Sequence, residues 1–299
     1  MKYLSNRYIF YISNSYIFGF QDPKNHIKKR GKTMNKNTKT TQKYLVFKGI
    51  ETTWTNPKTG KVFGVKDLLV KGNSKIGKNV YHFSTLPGTE VFHLDAFNYD
   101  AKGTCFCDCV GCYGKSGNYK RYPTTYALLA LRTMWAREAT EKIAEIIISE
   151  IKRKKIKYVR IHATGDFFGR SYALAWLEIV KACPECIFWT YTKSYGHGFD
   201  DVLNEINSLP NANIVESVIA GCGFNYGHIS YILDTYYKLL SQGEKPYICR
   251  CGIDPNQHCE SCTGCSTHKY VLFIEHSTEY KAEKDPLYID IKKLIESQK

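Results

Sequence analysis

The sequence predicts an α/β fold, a partial barrel of six β/α units with a cysteine-rich C-terminal segment. From residue 79 onward, short runs rich in Val, Ile and aromatic residues alternate with segments whose apolar residues recur at helical spacing. This alternation favours a parallel sheet, because parallel strands need a crossover connection between them. A chain of 299 residues with 43% hydrophobic residues is also large enough to bury a substantial core.

Six strands are predicted in this region, at residues 79–84, 157–162, 187–192, 213–220, 246–249 and 270–276. Helices are predicted between or after them, at residues 124–154, 171–183, 200–208, 229–242 and 286–297. Pro123 precedes the first helix, where proline is tolerated, and Ser171 suits the cap of the second. Upstream, the segments 43–50 and 62–72 read as short strands or a hairpin, with turn residues between them.

Residues 1–43 are predicted to be a basic, disordered extension, followed by the barrel with its N-terminal strands (44–245) and a C-terminal part that completes it (246–299). The extension has ten Lys/Arg residues against Asp22, so it supplies +9 of the net charge of +14. Such a tail attracts nucleic acid without specificity. Serines and an asparagine interrupt the first apolar run, so we expect neither a signal peptide nor a membrane span, and a cytoplasmic protein. Met34 offers an alternative start.

The stretch "TCFCDCVGCYG" places four of the twelve cysteines within eight residues. Cys105, Cys109 and Cys112 have the spacing C-x3-C-x2-C, and Cys107 is additional. A chain with a large core does not depend on disulfides, so these thiols read first as metal ligands. A zinc site remains an alternative if Cys107 is a fourth ligand. Three thiolates on a 4Fe-4S cluster would instead leave one iron open to a substrate or cofactor.

A second group follows in "CRCGIDPNQHCESCTGC". Cys259, Cys262 and Cys265 have ferredoxin-like spacing, and Cys251 or Cys249 would supply a fourth thiol. The spacing favours an auxiliary iron–sulfur cluster over zinc, although zinc remains an alternative.

The first cysteine loop resembles that of the radical SAM superfamily. The resemblance implies that Cys105, Cys109 and Cys112 hold a 4Fe-4S cluster, that S-adenosylmethionine binds its open iron, and that reductive cleavage yields a 5'-deoxyadenosyl radical. The segment "HATGDFF" lies where that superfamily has a Gly-Gly-Glu-like motif that binds the methionine amino group. Thr164, Gly165 and Asp166 would bind the cofactor there, together with Tyr113 beside the third cysteine. An electron donor such as a flavodoxin or ferredoxin is also implied.

The segments "LLVKGNSKIGKNVYHFSTLPG", "CVGCYG", "RIHATGDFF" and "FWTYTKSY" more narrowly resemble the gene product 88 family of phages and mobile elements. That resemblance extends over about residues 65 to 276 and implies no particular reaction. Two functions therefore stay open: a radical SAM enzyme with an unidentified substrate, and a zinc-stabilised, non-enzymatic nucleic-acid-binding protein.

Several other residues have simpler interpretations. His162 is expected to be an interior histidine, and Cys183 and Cys186 to be ordinary reduced thiols. Cys222 is predicted to line a cofactor pocket at the end of the fourth strand. Residues 193–197 would border a substrate, where an aromatic ring could stack on a base.

Deletion of residues 1–33 should leave folding and metal content unchanged, because this segment has no periodic apolar pattern and seven of its residues are basic against one acidic residue. Circular dichroism and metal analysis of the truncated protein test this. Insolubility or metal loss would show that the tail is part of the fold.

Overall fold

The computed structural model describes residues 44–72, 76–107, 109, 112–115, 119, 121–217, 229–250, 253–254, 257–274 and 282–298. Gln42–Lys299 form one compact unit. The extension predicted for residues 1–43 lies outside the described residues and stays a prediction. In the described part of the chain, no helix is long and apolar enough to cross a membrane.

Two small antiparallel pairs begin the fold. Strand β1 (Val46–Phe47) pairs with β2 (Ile50–Glu51), and β3 (Thr53–Thr55) pairs with β4 (Val62–Gly64). The Asn56 carbonyl accepts a hydrogen bond from the Gly60 N–H at 2.8 Å, which closes the β3–β4 turn. Gly60 has a φ of 65°, a left-handed conformation that glycine adopts without steric cost. A turn at these residues agrees with the prediction, but the first strand of this hairpin, β3, lies after the predicted segment 43–50.

The main sheet contains five strands in the order β11-β10-β9-β6-β5. They are β5 (Val70–Lys71), β6 (Val80–Phe83), β9 (Tyr158–His162), β10 (Ile187–Thr192) and β11 (Ala212–Glu216). The last four are parallel, and each lies beside the preceding one in chain order. Strand β5 pairs antiparallel with β6 at the edge. Four neighbouring parallel strands bring their carboxyl ends to one edge of the sheet.

A β-hairpin, β7 (Val91–Leu94) and β8 (Tyr99–Lys102), interrupts the connection between β6 and the cysteine loop. The sequence analysis placed the cysteines directly after the first parallel strand, and the hairpin is an insertion it did not predict. Gly103 follows the hairpin, and its N–H donates to the Glu90 carbonyl at 2.6 Å. The two ends of the insertion therefore meet, and the chain returns to the place it left.

Helices cover one face of the main sheet. They are α1 (Pro123–Glu138), α2 (Thr140–Lys154), α3 (Arg170–Ala182) and α4 (Asp200–Asn207). The predicted helix 124–154 is thus two helices, which meet at Ala139. Alternating strand residues such as Val159, Phe188 and Ile214 pack into the core beneath these helices. Their neighbours Tyr158 and Trp189 point to the opposite face.

The C-terminal part contains α5 (Ile229–Ser241), β12 (Tyr247–Ile248), α6 (Gly264–Thr267), β13 (Val271–Leu272) and α7 (Tyr288–Ser297). Strands β12 and β13 pair in parallel as a separate two-stranded sheet. The prediction that they follow the first four strands in one six-stranded barrel is therefore corrected: in the described residues, the main sheet ends at β11. Each of these strands has only two residues, so little backbone is available for pairing.

A buried carboxylate attaches helix α2 to the segment before β5. The Glu150 oxygens accept hydrogen bonds from the Leu68 and Leu69 N–H groups at 2.7 and 2.9 Å. Arg132 donates from Nε to the Leu68 carbonyl at 3.0 Å. Burial lowers the pKa of Arg132 to about 10, and the nearby Glu150 opposes this shift. The two side chains satisfy backbone groups that would otherwise be buried without partners.

Substitution of Glu150 by alanine should lower the free energy of unfolding by about 2 to 5 kcal/mol, because two buried N–H groups lose their acceptor. Urea unfolding measures the change. Glu145, exposed on the same helix, is the matched control. Equal losses in E150A and E145A would show that the Glu150 carboxylate does not attach helix α2 to the segment before β5.

Candidate metal and cofactor site

The carboxyl edge of the main sheet carries a cluster of threonine hydroxyls. Thr85 follows β6, and its N–H donates to the Thr164 carbonyl after β9 at 3.1 Å. The Thr164 hydroxyl in turn donates to the Thr85 carbonyl at 2.9 Å. Reciprocal bonds therefore extend the pairing of the two strands into their loops. Reactive groups of parallel β/α folds are usually found at this edge.

Thr104 anchors the cysteine loop to the same edge. Its N–H donates to the Leu86 carbonyl at 3.0 Å, and its hydroxyl lies 2.8 Å from the Thr85 hydroxyl. The Asp166 N–H donates to the Thr104 hydroxyl oxygen at 3.0 Å. Cys105 thus begins its loop directly beside the ends of β6 and β9.

The Asp166 carboxylate lies at the centre of this edge and is only 5% exposed. Its Oδ1 accepts hydrogen bonds from the Thr192 hydroxyl at 2.6 Å and the Phe167 N–H at 2.8 Å. Its Oδ2 accepts one from the Lys193 N–H at 2.8 Å. Burial raises the pKa of Asp166, against the opposing effect of these donors. The carboxylate therefore joins the end of β9 to the end of β10.

Gly165 is required by the close packing around Asp166. Its φ is 79°, and a Cβ at this position would collide with the Thr85 hydroxyl and lie 2.6 Å from the Thr104 hydroxyl. Gly114 packs in a similar way, since a Cβ there would lie 3.1 Å from the Thr164 methyl group. The glycines let the strand-end loop and the cysteine loop approach each other closely.

The thiols of the first cysteine loop are electrostatically coupled to this network. Burial raises the pKa of Cys105 to about 12, and nearby Asp166, Cys112 and Cys109 raise it further, against a bond from the Gly88 backbone. Burial also raises the pKa of Cys109, while Lys193 lowers it. The three predicted ligands and Asp166 therefore influence one another electrostatically. Cys107 is exposed, with its Sγ 3.7 Å from that of Cys109.

An aromatic stack links this loop to the segment after β10. The Phe106 ring lies parallel to the His197 imidazole, with centroids 3.7 Å apart and an interplanar angle of 6°. Phe106 nevertheless remains 45% exposed. The sequence indicated that residues 193–197 border a substrate, but not that His197 contacts the cysteine loop. A contact across 91 positions of the sequence leaves no local pattern.

Two further predicted residues have defined positions. Tyr113 opens the short 3₁₀ turn Tyr113–Lys115 directly after Cys112. His162 is buried, with Nε2 2.9 Å from the Tyr172 hydroxyl, while its Nδ1 has no hydrogen-bond partner among the described residues. Burial lowers the pKa of His162 to about 3, so the imidazole is neutral at physiological pH. The predicted interior position of His162 is confirmed, but only one of its two ring nitrogens has a hydrogen-bond partner among the described residues.

The late cysteines occupy a different part of the molecule. Cys265 packs with Val80 and Trp189, on the sheet face opposite the helices. The Sγ of Cys262 lies 3.0 Å from the Tyr247 hydroxyl. Cys259 belongs to the same packed group, whereas the predicted Cys251 and Cys222 lie outside the described residues. The structure therefore separates the two cysteine groups.

In the described ranges, no group of three or more His, Cys, Asp or Glu side chains is close enough to hold a metal ion. The ligand sets predicted for Cys105, Cys109 and Cys112 and for Cys251, Cys259, Cys262 and Cys265 thus stay predictions. Cys183 and Cys186 are buried in the main core, as ordinary thiols would be.

Comparison with known proteins places this site in a family. The model of the family described as Gene product 88 matches residues 67–222, just over half of the chain. The chain belongs to the gene product 88 family. The matched part of this gene product 88 protein contains the first cysteine loop and Asp166, and it ends before Cys249.

Two phage proteins are similar to part of this gene product 88 protein. The Gene 88 protein of Mycobacterium phage L5 is 30% identical over 119 residues, covering 38% of this chain and 48% of the phage protein. The Gene 88 protein of Mycobacterium phage D29 is 35% identical over 54 residues, which cover 18% of this chain and 22% of the phage protein. The chain thus spans about half, or less, of these relatives. No solved structure matches it.

Asp166→Asn should lower the free energy of unfolding by about 1 to 3 kcal/mol, because the amide NH₂ would face a buried donor that now has an acceptor. Urea unfolding measures the loss. Asp201→Asn is the control, since the Asp201 carboxylate is exposed and forms a surface ion pair with Arg170. Similar losses in the two variants would refute the bridging role of Asp166.

Proposed function

We propose that this gene product 88 protein is an iron–sulfur enzyme of radical SAM type, with its reactive cluster at Cys105, Cys109 and Cys112. The supporting observation is the anchoring of the cysteine loop: Thr104, directly before Cys105, is hydrogen-bonded to the segments that follow β6 and β9, at the carboxyl edge of four parallel strands. Singly wound β/α folds use this edge for reactive groups. The family match and the phage relatives name no reaction, so the activity is a proposal.

The donor set fits such a cluster chemically. Thiolates are the usual ligands of iron–sulfur clusters, and three of them leave one iron open to a cofactor. When bound, the cluster would supply the electron that cleaves S-adenosylmethionine reductively. An electron donor such as a flavodoxin or ferredoxin would then have to reach this edge of the sheet.

The residues around the thiols would prepare the site for the metal. The pKa of Cys105 is raised to about 12 by burial, so its free thiol is protonated at neutral pH and must lose its proton when metal binds. Lys193 favours the thiolate of Cys109. Metal uptake should therefore release protons and weaken as the pH falls.

Asp166 would act mainly by holding this arrangement. Three donors from its own fold already bind its oxygens, and its negative charge raises the pKa of Cys105 and Cys109. A cationic cofactor beside the thiols would be attracted by that charge. Direct binding of an ammonium group by Asp166, which the resemblance implies, stays part of the proposal together with roles for Thr164, Gly165 and Tyr113.

A zinc-stabilised protein that binds nucleic acid is the second candidate, and one distance favours it. Two sulfur ligands about 2.3 Å from one tetrahedral zinc ion lie about 3.8 Å apart. The Sγ atoms of Cys107 and Cys109 are 3.7 Å apart. The net charge of +14 would then promote contact with a polyanion.

Serine substitution of each cysteine in the loop separates these functions. After anaerobic reconstitution with iron and sulfide, C105S, C109S and C112S should each lose the change in the electron paramagnetic resonance spectrum on addition of S-adenosylmethionine. C107S should keep it, because a fourth thiolate would close the iron that the cofactor needs. C107S is thus the matched control within the same loop.

Equal metal loss in C107S and C112S would show that all four cysteines form one closed site, and the radical mechanism would be abandoned. Stoichiometric zinc without labile sulfide in the purified protein would also reject the first function. A brown, oxygen-sensitive protein with about four iron atoms in each occupied site is the expected result.

A further inference from the structure

Two thiols of the first cysteine loop lie close enough to react with each other. The Sγ atoms of Cys107 and Cys109 are 3.7 Å apart, and only Asp108 separates the two residues in the sequence. Since a disulfide bond is about 2.0 Å long, the sulfurs at 3.7 Å must approach by about 1.7 Å, a distance on the scale of side-chain rotation. The two side chains are therefore placed for a disulfide bond.

The chain on either side of this pair has defined contacts. Phe106, directly before Cys107, stacks on the His197 ring with the centroids 3.7 Å apart. After the pair, the Cys112 N–H donates to the Cys109 carbonyl at 3.3 Å and forms a turn. Both ends of the segment that holds the two thiols are thus restrained.

The two thiols differ in their access to solvent. Cys107 is exposed, whereas Cys109 is half-buried. A small oxidant in solution therefore meets the Cys107 thiol first. The Cys109 sulfur lies beside that of Cys107 and is positioned to react second. An exposed thiol with a second thiol next to it is the usual arrangement of cysteines that undergo reversible oxidation.

Short spacing in the sequence does not by itself produce such a pair. Cys183 and Cys186 are also close in sequence, but both are buried in the main core. The Cys186 sulfur lies 3.9 Å from the Ile187 carbonyl oxygen. Because an oxidant in solution does not reach these thiols in the folded chain, they serve as the internal comparison for Cys107 and Cys109.

We propose that Cys107 and Cys109 form a site of reversible oxidation by a small disulfide such as oxidised glutathione. The Cys107 thiolate attacks one sulfur of the oxidant, which forms a mixed disulfide and releases one reduced thiol. The Cys109 thiolate then attacks the Cys107 sulfur, which forms the Cys107–Cys109 bond and releases the second. The two thiol protons and two electrons pass to the oxidant, which leaves as two reduced thiols.

The disulfide would compete with metal for Cys109. A metal ligand must be a free thiolate, so a bond between Cys107 and Cys109 and a metal bound by Cys109 exclude each other. Disulfides that are exposed or strained are also readily reduced, so excess reduced thiol should free the ligand again. This consequence rests on the function proposed above, whereas the disulfide itself does not.

The test uses the full chain, freed of metal by a chelator, reduced, and then incubated with oxidised glutathione in the absence of oxygen. Free thiols are trapped with iodoacetamide in urea, and the tryptic peptides are measured by mass spectrometry. Peptide 103–115 should carry alkyl groups on Cys105 and Cys112 and should have lost two hydrogen atoms at Cys107 and Cys109. Reduction with dithiothreitol before trapping should restore alkylation of all four.

Serine variants assign the two roles. C109S should keep glutathione on Cys107 as a mixed disulfide, because the thiol that displaces it is missing. C107S should stay reduced in this peptide, and C183S should behave like the wild type. C107S changes an exposed side chain, and the wild-type peptide gives the decision on its own if C109S does not fold.

Full alkylation of all four cysteines of peptide 103–115 after incubation would overturn the proposal. A disulfide that still forms in this peptide in C107S, or a glutathione adduct that persists on Cys107 in the wild type, would also overturn it.

The consequence for metal is measured separately. After reconstitution with iron and sulfide, the oxidised protein should hold less iron than the reduced protein, and dithiothreitol should remove the difference. Equal iron in both, with the disulfide present, would count against Cys109 as a ligand and therefore against the function proposed above. The disulfide would stand, because its detection involves no metal.

Discussion

One buried carboxylate joins the loops at the carboxyl edge of the main sheet. Asp166 accepts hydrogen bonds from Thr192, Phe167 and Lys193, and its own N–H binds the Thr104 hydroxyl. A buried charge is tolerated only while such donors surround it, so none of these segments can move independently. The cysteine loop begins one residue after Thr104. The position of its thiols therefore depends on a residue 61 positions away from the first of them.

The sequence predicted where the parallel strands lie better than it predicted which strands pair with each other. Runs such as "KYVRIH" and "IFWTYT" lie within a residue of β9 and β10, because buried parallel strands need continuous β-branched and aromatic residues. The same kind of run around residues 247 and 271 gave two-residue strands that pair only with each other in the described structure. Local pattern indicates a strand, whereas its partner depends on contacts distant in sequence.

The candidate site was predictable where spacing carries the chemistry. The cysteines and Asp166 could be selected from the sequence, by ligand spacing and by resemblance. Thr85 and Thr104 could not, because isolated threonines are common and their roles come only from bonds across the strand ends. Strand β10 contributes to both regions: Thr192 binds Asp166, whose N–H binds Thr104 before the first cysteine loop, and Trp189 packs with Cys265. Only three positions along this strand separate the residue near the first cysteine region from the residue that packs with the second.

The hairpin β7–β8 has a consequence for how this family can vary. Its register pairs Val91 with Lys102, and the bond from Gly103 to Glu90 closes its base, so its length does not affect where the chain re-enters the site. Arg137 of helix α1 binds the Gly103 carbonyl at 2.8 Å and fixes that re-entry point from outside the hairpin. The hairpin could be lengthened, shortened or replaced while the thiols keep their positions. An insertion closed at its base in this way can change its length and surface at little structural cost.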